Sequence, residues 1–296
     1  EDGTLNSGSA LIKWIFIGNN SKNRYAGTFD GNNYIISGLY FNDENTDYVG
    51  LFGYNSGTIK NVGIVNSYFK GKSSVGGICG NNYNTIENSY NAGSVIGSYN
   101  VGGICGLNYS TIKNSYNAGT VNGSNNSVGG VCGLNNQNGI ITNSYNEGSV
   151  NGSSSTGGVC GYNFNKGIIE KSYNTGSVSG SSEVGGVCGN NGKGTIENSY
   201  NIGTVNGSGN NVGGICGHNN KEGCTITNTY NAGSVSGSSY YYTGGLCGRN
   251  YGDYGTFTNS YNNSSVYRGK IFGYDSYGAL PDNVLNKTSE QFASGE

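Results

Sequence analysis

The chain has 296 residues, of which 56 are glycine and one is proline, and its formal net charge is −2. Charged residues make up only 11% of it, and it has no run of lysine or arginine, so it lacks the basic footprint that binds nucleic acids or anionic membranes. No apolar stretch reaches the roughly 18 residues that a membrane-spanning helix needs. We therefore expect no nucleic-acid partner and no membrane span.

The first predicted strands precede the regular part of the sequence. Apolar and aromatic residues cluster at residues 14–16 and 34–41, and turn-forming glycine and asparagine surround both clusters. We assign residues 1–44 to irregular N-terminal coils that cap a regular stack. The chain starts at Glu1 without a methionine or a signal peptide, so we expect a mature or excised fragment.

A repeat occupies residues 45–275. Its most regular motif is Gly-Gly-aliphatic-Cys-Gly, which places seven cysteines at gaps of 26, 27, 28, 28, 28 and 31 residues. Such a period is typical of a solenoid, and the phenylalanines in the first and last copies fit capping repeats, which are atypical in composition. This predicted structural row consists of Phe52, Cys79, Cys105, Cys132, Cys160, Cys188, Cys216, Cys247 and Phe272.

Each repeat contains three short runs of alternating apolar residues, separated by glycine, asparagine and serine. In the copy around Cys105 the runs are residues 101–105, 111–116 and 119–121. Three short strands in each coil of 26–31 residues predict an all-β fold, a right-handed parallel β-helix (β-solenoid) of roughly ten coils. Residues 276–296 form a C-terminal tail, which we expect to be truncated.

Stacked coils place equivalent residues about 4.8 Å apart, so each repeated residue type becomes a row along the stack. Alternation on the second strand predicts that Ile86, Asn88 and Tyr90 all face inward. An asparagine row lies three residues after each cysteine position, and we expect a structural role for it because stacked amides can hydrogen-bond along the stack. This row consists of Asn55, Asn82, Asn108, Asn135, Asn163, Asn191, Asn219 and Asn250.

The cysteine row admits three interpretations. Buried free thiols are favoured, because unpaired cysteine is among the most buried residue types. Disulfides suit a secreted chain, but side chains stacked in register are poorly aimed for the disulfide torsion. A metal site needs converging ligands, which a single column does not offer. Alternation leaves open whether Ile78 or Cys79 faces the core, and we favour Cys79. Cys224, outside the row, is predicted to be the most reachable thiol.

The repeat resembles a known family. Val-Gly-Gly-Ile-Cys-Gly at residues 75–80, followed by Thr-Ile-Glu-Asn-Ser-Tyr-Asn at residues 85–91 and Gly-Ser-Val at residues 93–95, is similar to the GLUG repeat of bacterial cell-surface proteins. The similarity covers about residues 45–275, although the near-uniform cysteine departs from the valine or alanine that is common at that position. The resemblance implies a β-helix that displays or spaces other parts in adhesin-like proteins, or that lies beside the peptidase domains of immunoglobulin-cleaving proteases.

Groups with catalytic potential are sparse. The His-Glu-x-x-His signature of zinc peptidases is absent, and His218, the only histidine, occupies a variable position that we expect to be a solvent-facing corner. A Ser-His-Asp or Cys-His site would need a base oriented by a third group, which the repeat does not supply. Asp43, Glu44 and Asp47 share a loop that is either an ordinary polar loop, which we favour, or a weak Ca²⁺ site. We predict a protein that is not an enzyme and needs no cofactor or metal.

The best candidates for binding lie in the longest repeat, where additional tyrosines occur. Exposed rings there can stack on sugar rings or on a protein partner. These candidate residues are Tyr240, Tyr241, Tyr242, Tyr251 and Tyr254.

Together these features predict a non-catalytic, extracellular segment of a bacterial cell-surface protein, serving as an adhesin segment or a rigid stalk. Its expected partner is a host or microbial surface glycan or protein. Two alternatives stay open. One is a β-helix that binds or cleaves carbohydrate, and the other is a filament subunit that self-associates through the solenoid ends or faces.

Overall fold

The computed structural model describes residues 12–220, 222–239, 242–251, 255–276, 281 and 283–294. Their strands form three parallel sheets of nine, seven and 23 strands, each running along one stack of coils. One short helix, Ser289–Ser294, follows the last strand. No helix in the described ranges is long and apolar enough to cross a membrane. The predicted fold is confirmed as an all-β solenoid of about nine turns.

The nine-stranded sheet, here called the cysteine sheet, carries the cysteine row. Its strands pair in parallel, so that Cys105 lies beside Cys79 on one side and Cys132 on the other. The strands are Phe52–Asn55, Cys79–Asn82, Cys105–Asn108, Cys132–Asn135, Cys160–Phe164, Cys188–Gly192, Cys216–Asn219, Cys247–Asn250 and Phe272–Asp275.

The seven-stranded sheet, here called the glycine sheet, immediately precedes the cysteine sheet in each coil. A Cβ on Gly76 would lie 2.3 Å from the Cys79 carbonyl oxygen and 2.8 Å from the Cys105 Cα, so only glycine permits this approach of the two backbones. The two sheets therefore pack backbone against backbone. The strands are Ser73–Gly76, Tyr99–Gly102, Asn126–Gly129, Ser154–Gly157, Ser182–Gly185, Val212–Gly213 and Thr243–Gly244.

The third sheet, here called the long sheet, begins as long strands and breaks into shorter ones in later coils. Its last strand pairs with Ser260–Asn263, so the stack continues past residue 275. The strands are Thr28–Ser37, Tyr40–Asn42, Thr58–Lys70, Thr85–Glu87, Tyr90–Gly97, Thr111–Lys113, Tyr116–Asn117, Thr120–Gly123, Ile140–Thr142, Tyr145–Asn146, Val150–Asn151, Ile168–Glu170, Tyr173–Asn174, Val178–Gly180, Thr195–Glu197, Tyr200–Asn201, Val205–Gly207, Cys224–Thr227, Tyr230–Asn231, Val235–Gly237, Gly255–Thr258, Ser260–Asn263 and Val284–Lys287.

The core is built from aliphatic rows and the cysteine row. Ile78 and Cys79 are both fully buried, because a bend at residues 77–78 separates the glycine sheet from the cysteine sheet and interrupts the alternation of faces. At the C-terminal end the Phe272 ring, in the cysteine position, packs 4.7 Å from the Phe257 ring, which occupies the isoleucine position. The cysteine row therefore faces the isoleucine row across the interior.

The prediction that Asn88 and Tyr90 face inward with Ile86 is wrong. Asn88 has a left-handed backbone with φ of 49° and an exposed side chain. This corner reverses the alternation, so that Ser89 is buried, Tyr90 is half-exposed and Asn91 is buried. The tyrosines instead form an outer stack with ring centroids 4.7–5.0 Å apart, and this stack contains Tyr90, Tyr116, Tyr145, Tyr173, Tyr200 and Tyr230.

Two buried asparagine ladders join the coils. In the ladder predicted from the sequence, each side-chain Nδ2 donates to the Oδ1 of the next asparagine at 2.8–3.0 Å, from Asn55 to Asn250. The sequence did not predict the second ladder, whose bonds measure 2.8–3.2 Å. It consists of Asn91, Asn117, Asn146, Asn174, Asn201, Asn231, Asn262 and Asn286.

Candidate functional site

The repeat loses its uniformity along one outer seam, where the cysteine sheet meets the glycine sheet. A Cβ on Gly217 would lie 2.4 Å from the carbonyl carbon of Glu183, so the two backbones touch there and the neighbouring side chains meet. Two columns line this seam. The column from the cysteine sheet, two residues after each cysteine position, is Tyr54, Asn81, Leu107, Leu134, Tyr162, Asn190, His218, Arg249 and Tyr274.

The facing column, from the glycine sheet, has an unusual backbone. Its residues take a left-handed conformation with φ between 49° and 66°, although none of them is glycine. Such a backbone is uncommon for residues with a side chain and persists where the surrounding packing holds it. The column is Tyr48, Ser74, Asn100, Ser127, Ser155, Glu183 and Asn211.

Glu183 is the centre of a hydrogen-bonded group in this seam. Its Oε1 lies 3.1 Å from Nδ1 of His218. Its Oε2 accepts hydrogen bonds from Ser155 Oγ at 2.6 Å and from Asn190 Nδ2 at 2.9 Å. Burial of the carboxylate acts to raise the pKa of Glu183, but the hydrogen bonds from His218, Ser155 and Asn190 outweigh it, so the pKa lies below its ordinary value.

Four buried polar atoms in this part of the molecule have no hydrogen-bond partner within the described ranges. They are Nε2 of His218, Oδ1 of Asn211, Oδ1 of Asn220 and Nε of Arg249. Asn220 Nδ2 donates to Asn190 Oδ1 at 3.1 Å, which links Asn220 to the Glu183 group and fixes the direction of its Oδ1. We call Glu183, Asn211, His218, Asn220 and Arg249 the His218 cluster. Buried polar groups in proteins are normally hydrogen-bonded, so this concentration is a local exception.

Tyrosine rings surround the cluster. Tyr251 lies 5.5 Å from the His218 ring, and the Arg249 guanidinium lies 4.5 Å from the Tyr251 centroid and 5.3 Å from that of Tyr274. Tyr274 in turn contacts Tyr242 at 6.0 Å. Of the tyrosines predicted to bind a ligand, Tyr242 and Tyr251 thus lie beside the His218 cluster. Tyr240, Tyr241 and Tyr254 lie outside the described residues.

Two expectations about single residues are wrong. His218 is not at a solvent-facing corner, because the close approach of the two sheets leaves it only 8% exposed. Cys224 is not a reachable thiol, since it is 1% exposed, donates to the Asn191 carbonyl oxygen at 3.0 Å and accepts the Lys193 N–H at 2.9 Å. The sequence did contain one signal for the cluster, the carboxylate Glu183 in a column otherwise made of neutral residues.

The arrangement does not form a nucleophile and base pair. Ser155 donates its hydrogen bond to Glu183, and it is Glu183 that contacts His218, whereas a serine nucleophile needs a hydrogen bond to the histidine itself. Among the described residues, no group of three or more His, Cys, Asp or Glu side chains is placed to hold a metal ion. In the loop considered for Ca²⁺, Asp43 pairs with Lys13 at 3.1 Å and Glu44 pairs with Lys70.

The thiols of the cysteine sheet are free and buried. Each Sγ in the row approaches the carbonyl oxygen two residues further along the chain, at 3.0–3.3 Å. Burial disfavours the thiolate and raises the pKa at five of these positions, which are Cys79, Cys132, Cys188, Cys216 and Cys247.

Three segments of the chain match a sequence profile described as the GLUG motif, at residues 97–122, 152–179 and 239–267. A protein of Evansella cellulosilytica, described as a candidate Gly-rich membrane protein, is 36% identical over 80 residues, which cover 25% of this chain and 9% of that protein. A crystal structure of a candidate immunoglobulin A1 protease from Bacteroides ovatus aligns with a TM-score of 0.47 and 20% identity, over 97% of this chain and 76% of that one.

Proposed function

Since the chain is a β-solenoid that carries GLUG motifs, as the sequence predicted, we propose that it is a rigid, non-catalytic scaffold in an extracellular bacterial surface protein. In this role it serves as a stalk or as the segment that carries an adhesive surface. Its partner is then a glycan or protein on a host or microbial surface.

The observation that carries this proposal is the pair of buried asparagine ladders. Each coil is joined to the next by two side-chain amide bonds in addition to its backbone pairing, from Asn55 to Asn250 in one ladder and from Asn91 to Asn286 in the other. Nine strands about 4.8 Å apart make a rod on the order of 40 Å long. A stack whose coils are joined by these hydrogen bonds resists bending and keeps a fixed distance between its ends.

The test measures where the chain lies in the cell and what shape the purified chain has in solution. An antibody raised against the purified chain is applied to intact and to permeabilised cells of the source bacterium, and we expect equal labelling of both. Small-angle X-ray scattering of the purified chain should give the profile of a stiff rod. Labelling only after permeabilisation contradicts the surface assignment, and a flexible-chain scattering profile contradicts the scaffold role.

A second role, self-association through the N-terminal end, is favoured by the side chains exposed there. Ile12, Ile15, Tyr34 and Ile35 are large apolar or aromatic residues that are mostly exposed. The edge strand Thr28–Ser37 pairs with only one strand of the described residues. Exposed apolar side chains beside an open strand edge are typical of interaction surfaces.

Sedimentation velocity tests this role by comparing the wild type with an Ile15→Ser, Ile35→Ser double variant. End-to-end association predicts larger species for the wild type at high concentration and a monomer for the variant. A wild type that stays monomeric at all concentrations excludes the filament.

A further inference from the structure

The unpartnered atoms of the His218 cluster define a set of hydrogen-bonding groups that a ligand can complete. His218 and Asn211 are each more than nine-tenths buried, yet His218 Nε2 and Asn211 Oδ1 have no hydrogen-bond partner among the residues that the structure describes. Burying such groups unpaired costs free energy that a bound polar molecule recovers. We propose that the His218 cluster binds a neutral, hydroxyl-rich ligand, namely one saccharide unit. This site rests on the adhesive role proposed above and gives it a ligand class, whereas the scaffold role does not depend on it.

The charges of the cluster favour a neutral ligand. The Arg249 guanidinium opposes a cation, while the carboxylate of Glu183 and the amide oxygen of Asn220 oppose an anion. The free groups include a donor, Arg249 Nε–H, and two acceptors, the amide oxygens of Asn211 and Asn220. A hydroxyl group both donates and accepts, so a ring that carries several hydroxyls matches this mixed set.

The hydrogen bonding of the His218 ring also suits a ligand that carries hydroxyl groups. Glu183 Oε1 lies 3.1 Å from Nδ1, an arrangement in which Nδ1–H donates to the carboxylate. Nε2 is the unpartnered ring nitrogen, and a hydroxyl group can pair with it either as acceptor from Nε2–H or as donor to a bare Nε2. Glu183 is itself held by Ser155 and Asn190, so the imidazole is oriented by a fixed neighbour.

The rings beside the cluster supply the apolar part of a sugar site. Tyr274 is exposed, and Tyr242 lies 6.0 Å from it. The flat faces of such rings stack on the C–H face of a pyranose. The four unpartnered atoms are shielded from solvent, so a ligand reaches them only when neighbouring side chains move. Tyr251, whose ring lies 5.5 Å from the His218 ring, is one of these neighbours.

The repeat provides matched variants for the test. Leucine occupies the position of His218 in two other coils, at Leu107 and Leu134, so His218→Leu introduces a residue that this column accommodates. Asn136 is the equivalent of Asn220 in another coil, because each lies four residues after the cysteine of its coil. The Oδ1 of Asn136 is also unpartnered. Because Asn136 lies three coils away from His218, Asn136→Ala is the control.

The experiment is saturation-transfer NMR on the whole chain with the methyl glycosides of glucose, galactose, mannose and N-acetylglucosamine. We expect at least one glycoside to bind the wild type and the Asn136→Ala variant within about twofold of each other. Binding to His218→Leu should be at least tenfold weaker. Circular dichroism checks that each variant is folded, and if His218→Leu does not fold, Asn220→Ala takes its place with the same expected loss.

Three outcomes overturn the proposal. The first is a folded wild type that binds none of the four glycosides, and the second is undiminished binding by the folded His218→Leu or Asn220→Ala variant. The third is binding of inorganic phosphate or Zn²⁺ alone, which would assign the cluster to an ion. None of these results affects the antibody labelling or the rod-like scattering, so the scaffold role is judged separately.

Discussion

One left-handed corner residue per coil, asparagine in most coils, sets the direction of whole rows in this protein. The corner residues Asn88, Asn114 and Asn143 have φ of 49°, 50° and 47°. Asparagine is one of the few residues with a side chain that visit this left-handed region readily. Each corner reverses the alternation of faces, which buries the asparagine three residues later and exposes the tyrosine between them. One dihedral angle per coil thus creates both the second amide ladder and the outer tyrosine stack.

The second amide ladder should contribute strongly to stability. Asn146 donates to Asn174 Oδ1 at 2.8 Å and to the Gly148 carbonyl oxygen at 2.9 Å. Asn146→Ala removes the donor to both of these buried acceptors and the acceptor of one Asn117 Nδ2 hydrogen bond, so we expect a loss on the order of 3 kcal/mol in the free energy of unfolding, measured in urea. Asn151→Ala, in the same coil, removes an exposed amide and should cost less than about 0.5 kcal/mol. Equal losses for the two variants would show that the ladder is not a main source of stability.

Ionisation of Glu183 should make the stability of the fold depend on pH. Its pKa is lowered in the folded chain, so the carboxylate stabilises the fold above the ordinary glutamate pKa of about 4.3, and this contribution is lost as the pH falls through the folded value. Between about pH 5 and pH 3 the wild type should therefore lose stability more steeply than Glu183→Gln, as measured by thermal unfolding. Asn151→Ala should follow the wild type. Parallel curves for the wild type and Glu183→Gln would contradict this role.

At the scale of strands and rows, the sequence predicted which residues repeat. It was less successful in predicting whether their side chains face the core or the solvent. Equivalent residues of neighbouring coils pair in register, so the isoleucine, cysteine and first asparagine rows follow directly from the period. The inward direction of Tyr90 did not follow, because alternation assumes a regular strand and the left-handed corner at Asn88 breaks it. For the same reason the buried direction of Asn117 did not follow from the sequence.

The cysteine row allows a direct test of burial. Its thiols are buried in the interior. Each Sγ donates a hydrogen bond to a carbonyl oxygen of its own strand. A native sample without reductant should therefore react very slowly with Ellman's reagent, because the reagent has no access to the buried thiols. After unfolding without reductant, all eight cysteines of the chain should react. Fewer than eight would indicate disulfides, and rapid reaction of the native chain would contradict the buried row.

At the scale of the whole molecule, the His218 cluster depends on an offset between two sheets. Glu183 and His218 are 35 residues apart and belong to neighbouring coils, because a glycine-sheet residue meets the cysteine-sheet strand of the following coil. The period of the sequence aligns residues within a column but carries no information about which columns face each other across the seam. The tyrosines near residue 250 were predictable as a break in the repeat, whereas their histidine and glutamate neighbours required the stacked structure.

The stack should tolerate the loss of one complete coil. Deleting residues 133–160 joins Cys132 to Gly161, so that Asn163 takes the place of Asn135 and both amide ladders stay continuous. Because each coil contacts mainly its neighbours, we expect a folded rod that is shorter by about 4.8 Å, with a modest fall in melting temperature, as measured by scattering and circular dichroism. Deleting residues 133–146, about half a coil, is the control, since it moves every later row out of register and should abolish folding. Loss of folding in both deletions would show that the stack is a single cooperative unit rather than a sum of equivalent coils.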